Sequence, residues 1–102
     1  MVKHVILWTL KENLQGAEKE SVKQGIEENL EGLMGQIPGL LEIRVQTSPL
    51  ETSNVDVMLD SSFASFEDLK GYAVHPAHVA VADTFVRPYT ASRSCIDYEI
   101  SE

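Results

Sequence analysis

The sequence predicts a single α+β domain, a four-stranded antiparallel sheet with helices on one face and a second copy of the chain over the other. Three observations predict it. Segments with a two-residue hydrophobic period alternate with segments of three- and four-residue period, in the order β-α-β-β-α-α-β. The 102 residues are one domain's worth, so 1–102 reads as a single unit. The first strand is apolar on both of its faces, whereas one layer of helices covers only one.

Residues 2–11, VKHVILWTLK, form that first strand: Val, Ile, Trp and Thr favour the pleated state. One parity carries Val2, His4, Ile6, Trp8 and Leu10, and the other Lys3, Val5, Leu7, Thr9 and Lys11. Residues 17–36 predict a long amphipathic helix, with Val22, Ile26, Leu30, Leu33 and Ile37 at three- and four-residue steps. Gly25, Gly32 and Gly35 weaken it, each by ~1 kcal/mol against alanine, and Pro38-Gly39 stops it. Residues 40–47 alternate Leu41, Ile43, Val45 against Glu42, Arg44, Gln46 as a second strand. After a polar loop at 48–54, residues 55–61 form a third, with Val55, Val57, Leu59 on one face and Asp56, Met58, Asp60 on the other.

Ser65 is placed as an N-cap, with Glu67 and Asp68 in the first turn where the helix dipole favours acids. The short helix it opens carries Phe66, Leu69 and Tyr72 and stops at His75-Pro76, because a residue before proline avoids the helical region. Pro76 suits the first position of a new helix, which runs to about Val86 and buries Val79, Ala82 and Phe85 or Val86 before Arg87-Pro88 closes it. Residues 91–100, ASRSCIDYEI, are the last strand. The element order is ferredoxin-like, with the second helix broken in two.

Composition limits the partners. The net charge of −8 and the lack of a basic stripe argue against nucleic acid and against anionic membranes. No apolar run approaches the ~18 residues of a membrane span, and Met1-Val2-Lys3-His4-Val5 lacks the pattern of a signal peptide. The single cysteine, Cys95, has no intrachain partner, which fits a reducing compartment. A cytoplasmic location is therefore expected.

The opening KHVILWTLK, the turn IPGL, the run VDVMLDSSFASFEDLKGYAVHPAHVAV and the ending CIDYE together resemble the stress-responsive dimeric A/B-barrel (Dabb) family over nearly the whole chain. Tyr72 to His78, Y-A-V-H-P-A-H, is the most specific part. The resemblance implies a homodimer whose sheets pack face to face into an α/β barrel, with a cavity between sheet and helices in each subunit. Some plant members are cofactor-free polyketide cyclases that close a ring by aldol condensation. Their catalytic tyrosine and histidine fall at Tyr72 and His78. Other members are known only as stress-induced proteins. Asp97 matches a family aspartate and is expected to approach His78, fixing its tautomer, or a group one hydrogen bond away from it. His4, Ile6 and Trp8 fall on the strand face that lines the cavity, and Trp8 stands where phenylalanine is expected, narrowing the space.

His78, in the first turn of its helix, is biased toward the neutral imidazole that accepts a proton. Tyr72 can donate to a carbonyl oxygen as charge builds there. A base and one such donor suffice for enolisation and aldol closure of a small carbonyl compound, with no cofactor. The same residues also fit a core: Tyr72 bonded to backbone, His78 and His4 as structural histidines, His75 as a cap or hinge to Pro76. Proline between His75 and His78 argues against a shared metal-binding face, and no Cys-x-x-Cys, H-E-x-x-H or calcium-loop spacing occurs, so no metal is expected. Asp56 and Asp60, placed on the barrel side, leave a cation at the dimer interface as the alternative. Three readings stand: a cofactor-independent cyclase or lyase, a non-catalytic stress or ligand-binding dimer, and a cofactor-free monooxygenase resting on shared fold alone.

Overall fold

The computed structural model describes residues 1–100. Four strands form one antiparallel sheet: β1 (Val2–Leu10), β2 (Leu40–Gln46), β3 (Val57–Phe63) and β4 (Thr90–Glu99), in the order β2-β3-β1-β4. Three helices, α1 (Gly16–Glu31), α2 (Phe66–Val74) and α3 (Pro76–Val81), complete the ferredoxin-like fold. Strand β1 divides as its parity requires. Val2, His4, Ile6, Trp8 and Leu10 are buried beneath the helices, while Lys3, Val5, Leu7 and Thr9 are half-buried on the other face.

Helix α1 ends five residues before its expected limit. Gly32 is its C-cap and Gly35 adopts φ 88°, a left-handed conformation that ends the right-handed spiral and suits glycine. Leu33 and Ile37 are buried nonetheless, so the apolar period outlasts the helix. In β2 the register shifts between Leu40 and Glu42. This irregularity buries Leu40 and turns Leu41 outward, against the expected alternation.

Strand β3 starts two residues later than expected and extends to Phe63. Ser61 and Ser62 hide its end from a hydropathy pattern, yet both are buried, and Ser61 satisfies its hydroxyl by donating to the His4 carbonyl at 2.8 Å. Asp56 consequently precedes the strand instead of sharing the barrel face with Asp60. It accepts the Leu10 N–H at 2.8 Å and pairs with Lys19 at 3.2 Å. Burial alone would raise its pKa, but these partners outweigh that and hold it below the usual carboxylate value. Asp60 does face the barrel side and is bound to Lys3 at 2.5 Å.

The Ser65 cap forms as expected, accepting the Asp68 N–H. Phe66, in the first turn of α2, is exposed and carries Lys70 over its ring at 5.2 Å. Helix α3 is followed by a π-helical turn at Ala82–Val86 and a 3-10 turn at Arg87–Tyr89. Ala82 and Val86 are buried, whereas Val79 and Phe85 are only half-buried. The wider π turn swings Val86 and Arg87 toward the sheet at the place where a cavity opens.

Candidate functional site

A cavity of about 390 Å³ lies between the β1–β4 half of the sheet and the α2–α3 corner. Its volume is in the range of small-ligand sites. Ile6, Trp8, Leu69 and Val86 give it apolar walls. Tyr72 and His78 meet there across the break between helices, with ring centres 4.0 Å apart. The break itself is set by His75-Pro76. His75 caps α3 by accepting the Ala77 N–H at 3.1 Å, and it does not line the cavity. That removes His75 from the expected pocket residues.

Tyr72 belongs to an aromatic cluster, with Phe63 at 5.0 Å and His4 at 6.0 Å between ring centres. Its hydroxyl is buried with no hydrogen-bond partner among the described residues, and so is Nδ1 of His78. Burial pushes the Tyr72 phenol well above its ordinary pKa, against a smaller opposing pull from Arg93, so the group stays a neutral donor. Burial also lowers the His78 pKa from 6.5, opposed by hydrogen bonding to the backbone of Ala73 and Tyr72 and assisted by the charge of Arg87. At neutral pH the imidazole is therefore uncharged and able to take a proton.

Asp97 does not reach His78 as expected. The β1–β4 register sets it opposite His4, and its Oδ1 lies 2.5 Å from His4 Nδ1. The carboxylate thus orients the buried imidazole of His4, which lines the cavity beside Tyr72. Cys95, one pleat along β4, places its Sγ 3.5 Å from the same Asp97 oxygen and 3.8 Å from His4 Nδ1. Those three side chains form the one group among the described residues whose donors could together hold a metal ion. The close His4–Asp97 bond already commits the nitrogen and the oxygen to each other.

Among the wall residues that escape a reading of the sequence are three cations, Lys70, Arg87 and Arg93. Arg93 has a weak signal, because it shares strand parity with Cys95 and Asp97. That signal becomes usable only once the pairing Trp8↔Arg93 and His4↔Asp97 is known.

The sequence profile of the stress responsive A/B barrel domain matches residues 2–100. None of the curated proteins matches the chain. Among solved structures, a dimeric protein of unknown function with a ferredoxin-like fold from Bacteroides fragilis is 32% identical, covering 97% of this chain and 95% of its own, with a TM-score of 0.90. A Dabb family protein with a ferredoxin-like fold from Mesorhizobium loti is 19% identical over 99% of this chain and 97% of its own, with a TM-score of 0.74. A hydroxynitrile lyase from Passiflora edulis is likewise 19% identical, over 99% of this chain and 94% of its own, with a TM-score of 0.80. At 19% identity the likeness carries the fold alone.

Proposed function

The chain belongs to the stress-responsive A/B-barrel family, and on that footing we propose that it is a homodimeric, cofactor-independent lyase or cyclase acting on a small carbonyl compound. The observation that carries the reading is the Tyr72–His78 pair: a buried phenol hydroxyl without a hydrogen-bond partner among the described residues, beside a half-buried imidazole at 4.0 Å between ring centres, in an apolar-walled cavity. Leaving a buried donor or acceptor unpaired costs ~1–3 kcal/mol. A core built only for packing would carry phenylalanine and an aliphatic residue here. A bound carbonyl compound supplies the acceptor that the Tyr72 hydroxyl lacks and sets its acidic C–H against the His78 ring.

In this mechanism the neutral His78 imidazole removes a proton from the carbon next to the carbonyl group. The Tyr72 hydroxyl donates to the carbonyl oxygen as it becomes an enolate oxygen. The enolate carbon then attacks a second carbonyl carbon of the same molecule. Run in reverse, the same two groups cleave such a carbon–carbon bond. His4, held by Asp97, forms the wall beside Tyr72 and limits how the substrate lies.

Exchange of the methyl protons of acetophenone with solvent deuterium, followed by proton NMR, tests the first step. The wild type is expected to accelerate exchange above buffer, and His78→Ala and Tyr72→Phe to fall to near background, with losses of ~100-fold or more. Leu50→Ala, exposed and outside the cavity, retains the rate. The pH profile has a predictable sign. The base is active when neutral and its pKa is lowered, so the rate is level above 6.5 and falls only at lower pH, as His78 protonates. No acceleration by the wild type, or full activity in His78→Ala, overturns the proposal.

A further inference from the structure

Charge is distributed unevenly around the cavity. The chain has 16 acidic residues against eight lysines and arginines. Around the cavity the ratio is reversed: Lys70, Arg87 and Arg93 border it, against Asp97 alone. That one acid is engaged by His4 at 2.5 Å. Two of the cations are also engaged, Lys70 with Glu67 at 2.9 Å and Arg87 with Asp83. Arg93 has no ion-pair partner among the described residues. It stands opposite Trp8 in the sheet, on the strand face that looks into the cavity.

We infer that the cavity selects carboxylate-bearing ligands, with Arg93 as the anion anchor at its mouth and the carbonyl end of the ligand directed to Tyr72 and His78. This deepens the reading given above and rests on it for the direction of the carbonyl end. The physical case is threefold. A guanidinium presents a planar fork of donors that matches a carboxylate. Here that fork stands at the edge of an apolar-walled space, where a charge is screened less than on open surface. The chain as a whole carries a net charge of −8, so the excess of cations at this mouth stands against the sign of the rest of the molecule. Arg93 has only the Cys95 thiol as a side-chain partner and no carboxylate in ion-pair reach among the described residues, so its charge is open to an anion.

The size of the space narrows the class further. About 390 Å³ lies near the lower end of small-ligand sites and accommodates one aromatic ring with two small substituents. An aryl or short-chain keto acid fits, with the carboxylate at Arg93 and the ketone at the tyrosine–histidine pair.

Trp8, the chain's single tryptophan, lines the cavity, so its fluorescence reports occupancy directly. The probes are 4-acetylbenzoate and its neutral isostere 4-acetylbenzamide, titrated into the full-length protein. The expected result is ~10-fold or tighter binding of the acid, a preference shrinking as salt is raised to about 0.5 M. Arg93→Gln should bring the acid down to the amide's affinity while leaving the amide unchanged. Arg93 is exposed on an edge strand, and matching near-ultraviolet circular dichroism verifies that the variant is folded. Equal binding of acid and amide by the wild type, binding of neither, or an undiminished preference in Arg93→Gln overturns the inference. These are binding readouts, so they fail separately from the exchange test of catalysis, which uses an uncharged ketone.

Discussion

The Tyr72 hydroxyl is where stability and the proposed chemistry pull in opposite directions. Tyr72 is 1% exposed, and its ring is packed against Phe63, His4 and His78. Phenylalanine keeps those contacts and removes only the partnerless oxygen. Tyr72→Phe is therefore expected to leave the fold as stable as wild type, or more stable by up to ~1–3 kcal/mol, the cost of an unsatisfied buried polar group. A hydroxyl bonded within the core would give the reverse sign. Urea denaturation at matched protein concentration checks this. A loss of more than ~1 kcal/mol would show that the hydroxyl has a structural partner. His4 and Asp97 behave differently, since they satisfy each other. The sequence placed His4, Ile6 and Trp8 on one face by simple alternation. It could not assign Asp97 to His4, because that contact joins residues 93 positions apart and depends on which pleat of β4 faces β1.

At the level of elements, two glycines in the helical layer have opposite duties. Gly39 has φ 79°, and a methyl group there would overlap the Asp68 side chain in the first turn of α2. Its carbonyl also accepts the Ala64 N–H at 2.9 Å, tying the turn before β2 to the end of β3. Gly71 lies inside α2, exposed, with nothing near the place of a Cβ. Gly39→Ala is expected to destabilise by ~2 kcal/mol or more, from left-handed strain plus overlap. Gly71→Ala is expected to stabilise by ~0.5–1 kcal/mol through helix propensity. Thermal or urea unfolding of both variants tests the pair, and equal signs would contradict the local geometry described. Pro38-Gly39 is legible in the sequence as a stop. The earlier end of α1 is not, because Leu33 and Ile37 continue the apolar period through a turn that has left the helix.

For the whole molecule, the face of the sheet away from the helices is the unfinished part. Val5, Leu7 and Met58 are half-buried there, and on β4 Ile96 and Tyr98 are 60% and 46% exposed. A lone chain of this size buries too little surface to leave such a face idle. The proposed homodimer covers it, and a stable interface of this kind removes well over ~1,200 Å² from water. Sedimentation at micromolar concentration should show a dimer for wild type and a monomer for Ile96→Glu, which sets a charge against the apolar partner face. A wild-type monomer under those conditions would remove the barrel.

By itself the sequence determined the element order, the ferredoxin-like class, the two-faced character of β1 and the meeting of Tyr72 with His78 across a proline break. These depend on local period, on capping chemistry and on residues six apart in the chain. Tertiary structure alone decided the partner of Asp97, the place of Asp56 ahead of β3, the outward turn of Leu41 and the cluster of cations at the cavity mouth. Each of those follows from strand register, from a register irregularity or from the π turn after α3. A shift of one residue in any of them sends every later side chain to the opposite face, at almost no change in local hydropathy.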